Sequence, residues 1–176
     1  GGAGGERVRQ REGADVTVWA SEHEKALQKS TIENRRARGV EVRGGPAAER
    51  DSLSYDFVVL SPGIDPISPL ATNCSSRNIE TMGELELGWR SVNVPVIAIT
   101  GTNGKTTTTE LLAQTLNACG QRTIACGNIG TPLCEVALEQ HDPALPTVEV
   151  SLFQPETTRT CRPDTPLWLG FPPHQP

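Results

Sequence analysis

Val96-Ile-Ala-Ile-Thr-Gly-Thr-Asn-Gly-Lys-Thr-Thr107 is the stretch whose reading decides the fold of this chain. Val96 to Ile99 runs without a polar interruption, as expected of a strand covered on both faces in a parallel sheet. A glycine-containing turn follows, and then a helix predicted from Lys105 to Cys119, stopped at Gly120. Strand, glycine turn and helix in this order form the context that a phosphate-binding loop requires. Gly101 and Gly104 let the backbone turn tightly around Thr102 and Asn103 and aim N–H groups at phosphate oxygens. The helix adds its positive end to the same anion site. Lys105 is placed to bridge β- and γ-phosphates, with the Thr106 hydroxyl set to meet Mg2+ and Thr107 beside it. The usual loop has a glycine five residues before its second one, and here Ile99 stands there, so the match is to a shortened loop. The alternative is a Gly-Asn turn that merely joins strand to helix. Thr106 to Thr109 are poor helix formers, so local helix stability does not account for them.

Working outward, the sheet pattern appears once before this stretch and continues after it. Asp15 to Trp19 reads as a strand rich in β-branched and aromatic residues. Ser21 and Glu24 make a capping box for a helix running to Arg38, with Gly39 as its stop. Val40 to Arg43 and Asp56 to Leu60 are two further strands, and strand–helix–strand at this spacing implies a parallel sheet. The segment before residue 15 is rich in Gly and Arg and carries no strand signal, although a Rossmann-like domain needs its first strand there. Together with Gly1 in place of Met, this predicts a chain truncated at its front. Residues 67–81 read as polar and turn-rich, Met82 to Arg90 as a short helix, and Ser91 to Pro95 as a linker. Thr123 to Ala125 and Thr147 to Val150 are predicted strands. The tail from Pro155 holds six of the 14 prolines and fits neither a helix nor a central strand. The expected architecture is α/β, with a partial Rossmann-like unit over 1–93 and a partial P-loop-type parallel-sheet domain over 94–176.

Composition narrows the function. Lys plus Arg number 16 against 21 Asp plus Glu, a net charge of −5, which argues against a general nucleic-acid binder. No apolar run approaches the roughly 18–20 residues of a membrane-spanning helix. The five cysteines (Cys74, Cys119, Cys126, Cys134 and Cys161) never form a CxxC pair and read as free thiols of a cytoplasmic protein.

The string Ile99-Thr-Gly-Thr-Asn-Gly-Lys-Thr-Thr107 closely resembles the ATP loop of the Mur ligase family and of the related folylpolyglutamate synthases. Thr106-Thr107 favours the Mur side, because the folate enzymes tend to carry Gly-Ser after the lysine. Ser61-Pro-Gly-Ile64, Gly83-Glu-Leu-Glu-Leu87 and Gly127-Asn-Ile-Gly130 resemble the D-glutamate-adding branch of that family. The resemblance spans roughly residues 13–165. It implies a ligase of peptidoglycan precursor synthesis that uses ATP and Mg2+ to join D-glutamate to UDP-N-acetylmuramoyl-L-alanine through an acyl phosphate. It further implies a monomer in full-length form, with small-molecule substrates and neither nucleic acid nor membrane as a partner. By the same resemblance Ser21 and Gly63 contact the UDP portion, and Asn128 holds the muramoyl substrate. Thr106 and Glu149 serve Mg2+, and Lys105, Glu149 and His174 are the catalytic set.

Several positions depart from the family pattern. Ala20 stands where Asp is usual before Ser21, and Leu152-Phe-Gln-Pro155-Glu156 replaces Ser-Phe-Gln-Leu-Glu. Gly170-Phe-Pro-Pro-His174-Gln shortens the family's Asn-x-Thr-Pro-x-His-x-Asp segment, so His174 matches its histidine only if one residue is missing. Two other functions stay open, a nucleotide-binding remnant without catalysis and a ligase of the same family adding another amino acid. Plain structural roles stay open as well. Glu149 is then an ordinary strand-end carboxylate, Asn128 a turn residue, and His174 a solvated tail residue like the surface His23 and His141. Glu84 and Glu86 read as the solvated face of a short helix, and Trp19 and Trp89 as packing residues.

Overall fold

The apolar run at Val96–Ile99 forms the body of a strand, β5 (Ile97–Gly101), and a four-stranded sheet is assembled around it. The computed structural model describes residues 3–20, 29–44, 55–61, 68–138, 145–151 and 162–170. Contacts divide the chain into Gly1–Val8 with Met82–Pro176, and Arg9–Thr81. In the first of these units the sheet order is β6 (Thr123–Gly127), β7 (Leu145–Glu149), β5 and β8 (Thr165–Leu169), every pair parallel. Ile99 lies level with Glu149, Gly127 with Glu149, and Gly101 with Leu169. The carboxyl ends of all four strands therefore come to one edge, where ligands of open α/β sheets bind.

Helix α5 (Lys105–Ala118) leaves that edge and packs along β5, β6 and β7. Ile99, Cys126 and Val148 are fully buried, as expected of strands covered on both sides. Leu85, Val96, Cys126, Leu133 and Val148 form one apolar cluster, with Trp89, Val92, Val136 and Val150 packed against it. Each large side chain buried in this way contributes about 1.5–3 kcal/mol. The cluster draws in helix α4 (Glu84–Ser91), which lies on α6 (Leu133–Leu138). Gly88 makes that approach possible: a Cβ there would sit 2.8 Å from the Cys134 nitrogen. This packing groups Met82–Ser91 with the later residues, whereas the restart of the sheet pattern alone suggests a boundary near residue 93.

Glu84 and Glu86 are not a solvated face but are 8% and 0% exposed, because α4 is enclosed on more than one side. Glu86 is compensated by Arg90, whose Nε donates to its Oε1 at 2.8 Å. The proline-rich tail contains β8, which the reading of its prolines missed. Pro166 lacks a donor N–H, but β8 is the edge strand of the described sheet and pairs with β5 alone, so the loss is tolerated. Residues 3–11, read only as Gly- and Arg-rich, form helix α1 (Ala3–Arg11). Gly4 and Gly5 have low helix propensity but let the first turn lie against Cys134, Glu135 and Leu87, and this tertiary contact prevails.

The other unit carries the parallel pair β1 (Thr17–Ala20) and β2 (Glu41–Gly44), in register from Thr17↔Glu41 to Ala20↔Gly44. Helix α2 is described over Lys29–Ala37 and packs on β2; the Ser21–Glu24 capping box lies outside the described residues. Strand β3 spans Phe57–Leu60. Trp19 meets Tyr55 edge to face at 5.4 Å, and the Arg9 guanidinium lies 4.5 Å from the centre of the Phe57 ring. The segment read as turn-rich contains helix α3 (Pro69–Ser76), followed by β4 (Glu80–Gly83). Ser68 caps α3 by accepting from the Ala71 N–H, and Pro69 occupies the first turn, where its missing donor does no harm. Among the described residues of this unit, Val40, Leu60, Ala71 and Cys74 are the buried apolar ones.

The four described cysteines are free thiols, with Cys119 exposed and Cys74, Cys126 and Cys134 buried. Burial pushes the Cys126 thiol up from its ordinary 9.0 to about 12. Burial also raises Cys74, against a smaller opposing effect of Arg77. With its folded value above the unfolded one, Cys126 contributes stability below pH 9 that is lost as the pH climbs toward 12. Maleimide at pH 8 is therefore expected to modify Cys119 in the native chain and to spare Cys74, Cys126 and Cys134 until denaturant is added, as read by peptide mass mapping. Labelling of Cys126 in the native state would contradict this core.

Candidate nucleotide and metal site

The turn between β5 and α5 is shaped by two glycines with different constraints. Gly101 is buried with φ 145°, and a Cβ there would lie 2.1 Å from the Leu169 carbonyl oxygen. Gly104 has φ 78° and serves as the N-cap of α5, yet nothing stands within 4 Å of its Cβ position. Gly104 is thus required for its left-handed backbone, Gly101 for close approach as well. Gly104 has no side chain with which to cap the first turn of α5. Its leading N–H groups, with the positive end of a 14-residue helix, face the loop as an anion site would require.

Lys105 is half-buried, and its Nζ donates to the Gly101 carbonyl at 2.7 Å. The ammonium is thereby held back across the loop it follows. Thr109, fully buried, donates to the Lys105 carbonyl at 2.8 Å and fixes the first turn of the helix from below. Thr106 donates from Oγ1 to Oε2 of Glu149 at 2.8 Å. Glu149 ends β7 and is only 6% exposed, so its carboxylate is a buried charge whose hydroxyl partner lies 43 residues earlier in the chain. Thr102, Asn103, Gly104, Thr106 and Thr107 are exposed, the side of the loop that a ligand can reach.

The turn after β6 joins the same edge. Asn128 donates its N–H to the Glu149 carbonyl at 3.1 Å, and Gly127 donates to the Thr131 carbonyl at 3.0 Å. A Cβ on Gly127 would come within 2.5 Å of the Glu149 oxygen, so this turn can lie on β7 only through a glycine. The Asn128 residue is exposed above that contact. Lys105, Thr106, Glu149 and Asn128 are thus gathered from three strand ends. Ser21, Gly63 and His174 lie outside the described residues, as do His23 and His141.

Sequence reasoning missed the contribution of β8. Thr102 donates its N–H to the Leu169 carbonyl at 3.3 Å, and Gly170 approaches the Thr102 hydroxyl. The available signal was the apolar Leu167-Trp-Leu169 run, hidden among prolines. The contrast between the two loop glycines is testable by urea unfolding. Gly101→Ala, which meets both a forbidden contact and a strained φ, is expected to cost about 3 kcal/mol or more. Gly104→Ala meets only the φ term and is expected to cost about 1 kcal/mol. Equal costs would show that β8 does not lie against Gly101.

Residues 99–163 match the Mur ligase middle domain. The chain is 37% identical over 161 residues to the UDP-N-acetylmuramoylalanine--D-glutamate ligase of Caldanaerobacter subterraneus subsp. tengcongensis, covering 92% of this chain and 36% of that protein. It is 36% identical over 173 residues to the ligase of the same name from Nostoc sp., covering 98% of this chain and 37% of that protein. The chain therefore spans little more than a third of the length of these curated relatives. Among solved structures, the UDP-N-acetylmuramate:L-alanyl-gamma-D-glutamyl-meso-diaminopimelate ligase from Neisseria meningitides shares the fold, with a TM-score of 0.50 at 20% identity over 96% of this chain and 57% of that one. The middle-domain match begins on β5 and runs through the loop, α5 and Glu149. These similarities to the Mur ligase family are carried on the residues that build the site.

Proposed function

We propose that the site binds Mg-ATP for an ATP-dependent amide ligase of peptidoglycan precursor synthesis, joining D-glutamate to UDP-N-acetylmuramoyl-L-alanine. The observation that carries this reading is the 2.8 Å bond between Thr106 and Glu149, made beside Lys105 at the carboxyl edge of the sheet. The names of the two relatives favour D-glutamate over another amino acid. In this reading residues 1–93 belong to the domain that holds the UDP substrate, through Ser21 and Gly63. Residues 94–176 belong to the ATP-binding central domain, with Asn128 toward the muramoyl part and His174 in the catalytic set. The full-length protein works as a monomer in the cytoplasm.

The donor set fits Mg2+, since the Thr106 hydroxyl and the Glu149 carboxylate are hard oxygens within one hydrogen bond of each other. Thr106 and Glu149 would hold the ion, which would supply charge neutralisation beside the phosphates. Lys105 turns its ammonium from the Gly101 carbonyl toward the phosphate oxygens, and the leading N–H groups of α5 bind the phosphate from behind. The substrate carboxylate attacks the γ-phosphorus and ADP leaves. The amine of D-glutamate then attacks the acyl carbon, and phosphate departs with formation of the amide. The contribution of these residues is positioning and electrostatic complementarity to the transferring phosphoryl group.

Calorimetric titration with ATP, with and without Mg2+, tests the site. Lys105→Ala is expected to weaken Mg-ATP binding about 30-fold or more, the loss of a charge-assisted bond. Glu149→Gln should remove most of the Mg2+ dependence while leaving metal-free ATP binding nearly intact. Unchanged affinity in Lys105→Ala sinks the phosphate-loop assignment, whereas an unchanged Mg2+ effect in Glu149→Gln sinks only the metal role.

A second expectation follows from the share of the relatives that this chain spans. These 176 residues alone should bind nucleotide without releasing ADP in response to D-glutamate and UDP-N-acetylmuramoyl-L-alanine. Release of ADP that depends on D-glutamate, in a coupled assay, would show this to be wrong. Failure of the full-length protein to turn over, with Mg-ATP still bound, would favour the non-catalytic remnant instead.

A further inference from the structure

The peptide unit between Gly101 and Thr102 is held at both of its ends. Its carbonyl accepts from the Lys105 ammonium at 2.7 Å, and its N–H donates to the Leu169 carbonyl of β8 at 3.3 Å. A peptide group is planar, so fixing the N–H on one side fixes the carbonyl on the other. The direction in which the loop presents its acceptor to Lys105 is therefore set by where β8 ends. That in turn depends on the register of β8 along β5, which runs from Ile97↔Thr165 to Gly101↔Leu169.

Register is pinned at the opposite end of the pair by a side chain. Oδ2 of Asp164 accepts the Val96 N–H at 3.0 Å, across 68 residues of sequence. The Thr165 N–H completes that corner by donating to the Val96 carbonyl at 3.4 Å. A side-chain acceptor just ahead of an edge strand fixes which residues pair, because a slip of one residue would separate Asp164 from Val96 and flip every side chain of β8. At the loop end, the Trp168 indole donates to the Gly170 carbonyl at 2.7 Å and closes the turn that follows Leu169. Gly170, with φ 71°, carries the chain away beside the Thr102 hydroxyl.

We propose that Asp164 is a positioning residue for the nucleotide loop: by locking β8 onto β5 it aims the Leu169 carbonyl at Thr102 and so orients the Gly101 carbonyl toward Lys105. Asp164 touches no reacting group in this scheme and acts through one strand and one peptide plane. The consequence for nucleotide rests on the Mg-ATP reading above, but the orientation of the peptide does not.

Two measurements on the whole chain separate these parts. Amide hydrogen exchange without nucleotide should show the Thr102 N–H exchanging about tenfold faster in Asp164→Ala, with the amides of β7 unchanged. Asp164→Asn keeps an oxygen acceptor and should restore protection, which a general loss of stability would not do. Mg-ATP titration should follow the same pattern, with about tenfold weaker binding in Asp164→Ala and near wild-type binding in Asp164→Asn. Unchanged Thr102 exchange in Asp164→Ala, or no restoration by Asn, overturns the proposal. Should Asp164→Ala not fold, Trp168→Phe provides the second variant, and it must also speed Thr102 exchange for the proposal to stand. A wild-type chain that binds no Mg-ATP overturns the nucleotide reading instead, while the exchange data still decide the role of Asp164.

Discussion

The backbone of Gly101 lies so close to the Leu169 carbonyl that no side chain fits between them, and the site is arranged around that contact. It allows β8 to run level with the end of β5, which gives the first peptide of the loop a neighbour on its N–H side. The other side of the same peptide is thereby available to Lys105. A second forced glycine, Gly127, repeats the arrangement two strands away by admitting the Glu149 carbonyl. At both places a missing Cβ lets backbone meet backbone at the sheet edge, and Lys105 and the Asn128 turn are anchored there by main-chain carbonyls.

Parallel topology explains why residues so distant in sequence share this edge. Thr106 and Glu149 are 43 positions apart, and both follow strands that run in the same direction. The pairing Ile99↔Glu149 brings the carboxylate level with the last apolar residue before the loop, one helix start away from the Thr106 hydroxyl. In an antiparallel arrangement the residue after β7 would lie at the far end of the sheet from the residue after β5. The carboxylate is thus delivered by topology, and α5 needs only a threonine in its first turn to meet it.

The legible parts of this chain are those where local signals and tertiary packing agree. The strand at Val96–Ile99 and the helix that opens at Lys105 and stops before Gly120 read correctly because strand burial and helix ends each leave a residue-level mark. Helix α1 and strand β8 did not read, because in each the local signal points away from the observed state and contacts elsewhere prevail. Gly4 and Gly5 are poor helix residues that happen to fit against Cys134 and Leu87, and Pro166 is a poor strand residue at an edge that tolerates it. Glu84 and Glu86 show the same limit for the site. Their charge predicts exposure, and only the packing of α4 reveals that they are enclosed. Thr106 is legible from the loop itself, whereas the role of Glu149 comes with the family resemblance. No feature of the sequence near either residue announces the other, since the register of β5 with β7 is a long-range property.

The partners chosen by the two charged side chains bear on how such a site can work. Lys105 rests on a carbonyl and Glu149 on a hydroxyl, rather than on each other, although both belong to the same sheet edge. Had they formed a partly buried ion pair, a phosphate or a cation would first have to break it, at about 3–5 kcal/mol for the partner left behind. Each resting bond joins one charged and one neutral partner and contributes about 1.5–3 kcal/mol net, less than that penalty, so either group exchanges its resting partner for a ligand more readily than it would leave an ion pair. The resting contacts also leave both charges uncancelled, the ammonium for an anion and the carboxylate for a cation. Opposite charges kept apart by neutral partners suit a ligand that carries both signs, as a metal–phosphate complex does. Fixing the Gly101 carbonyl from the β8 side is what keeps Lys105 in that divided arrangement, and so the edge strand that was hardest to read in the sequence supports the residue that was easiest.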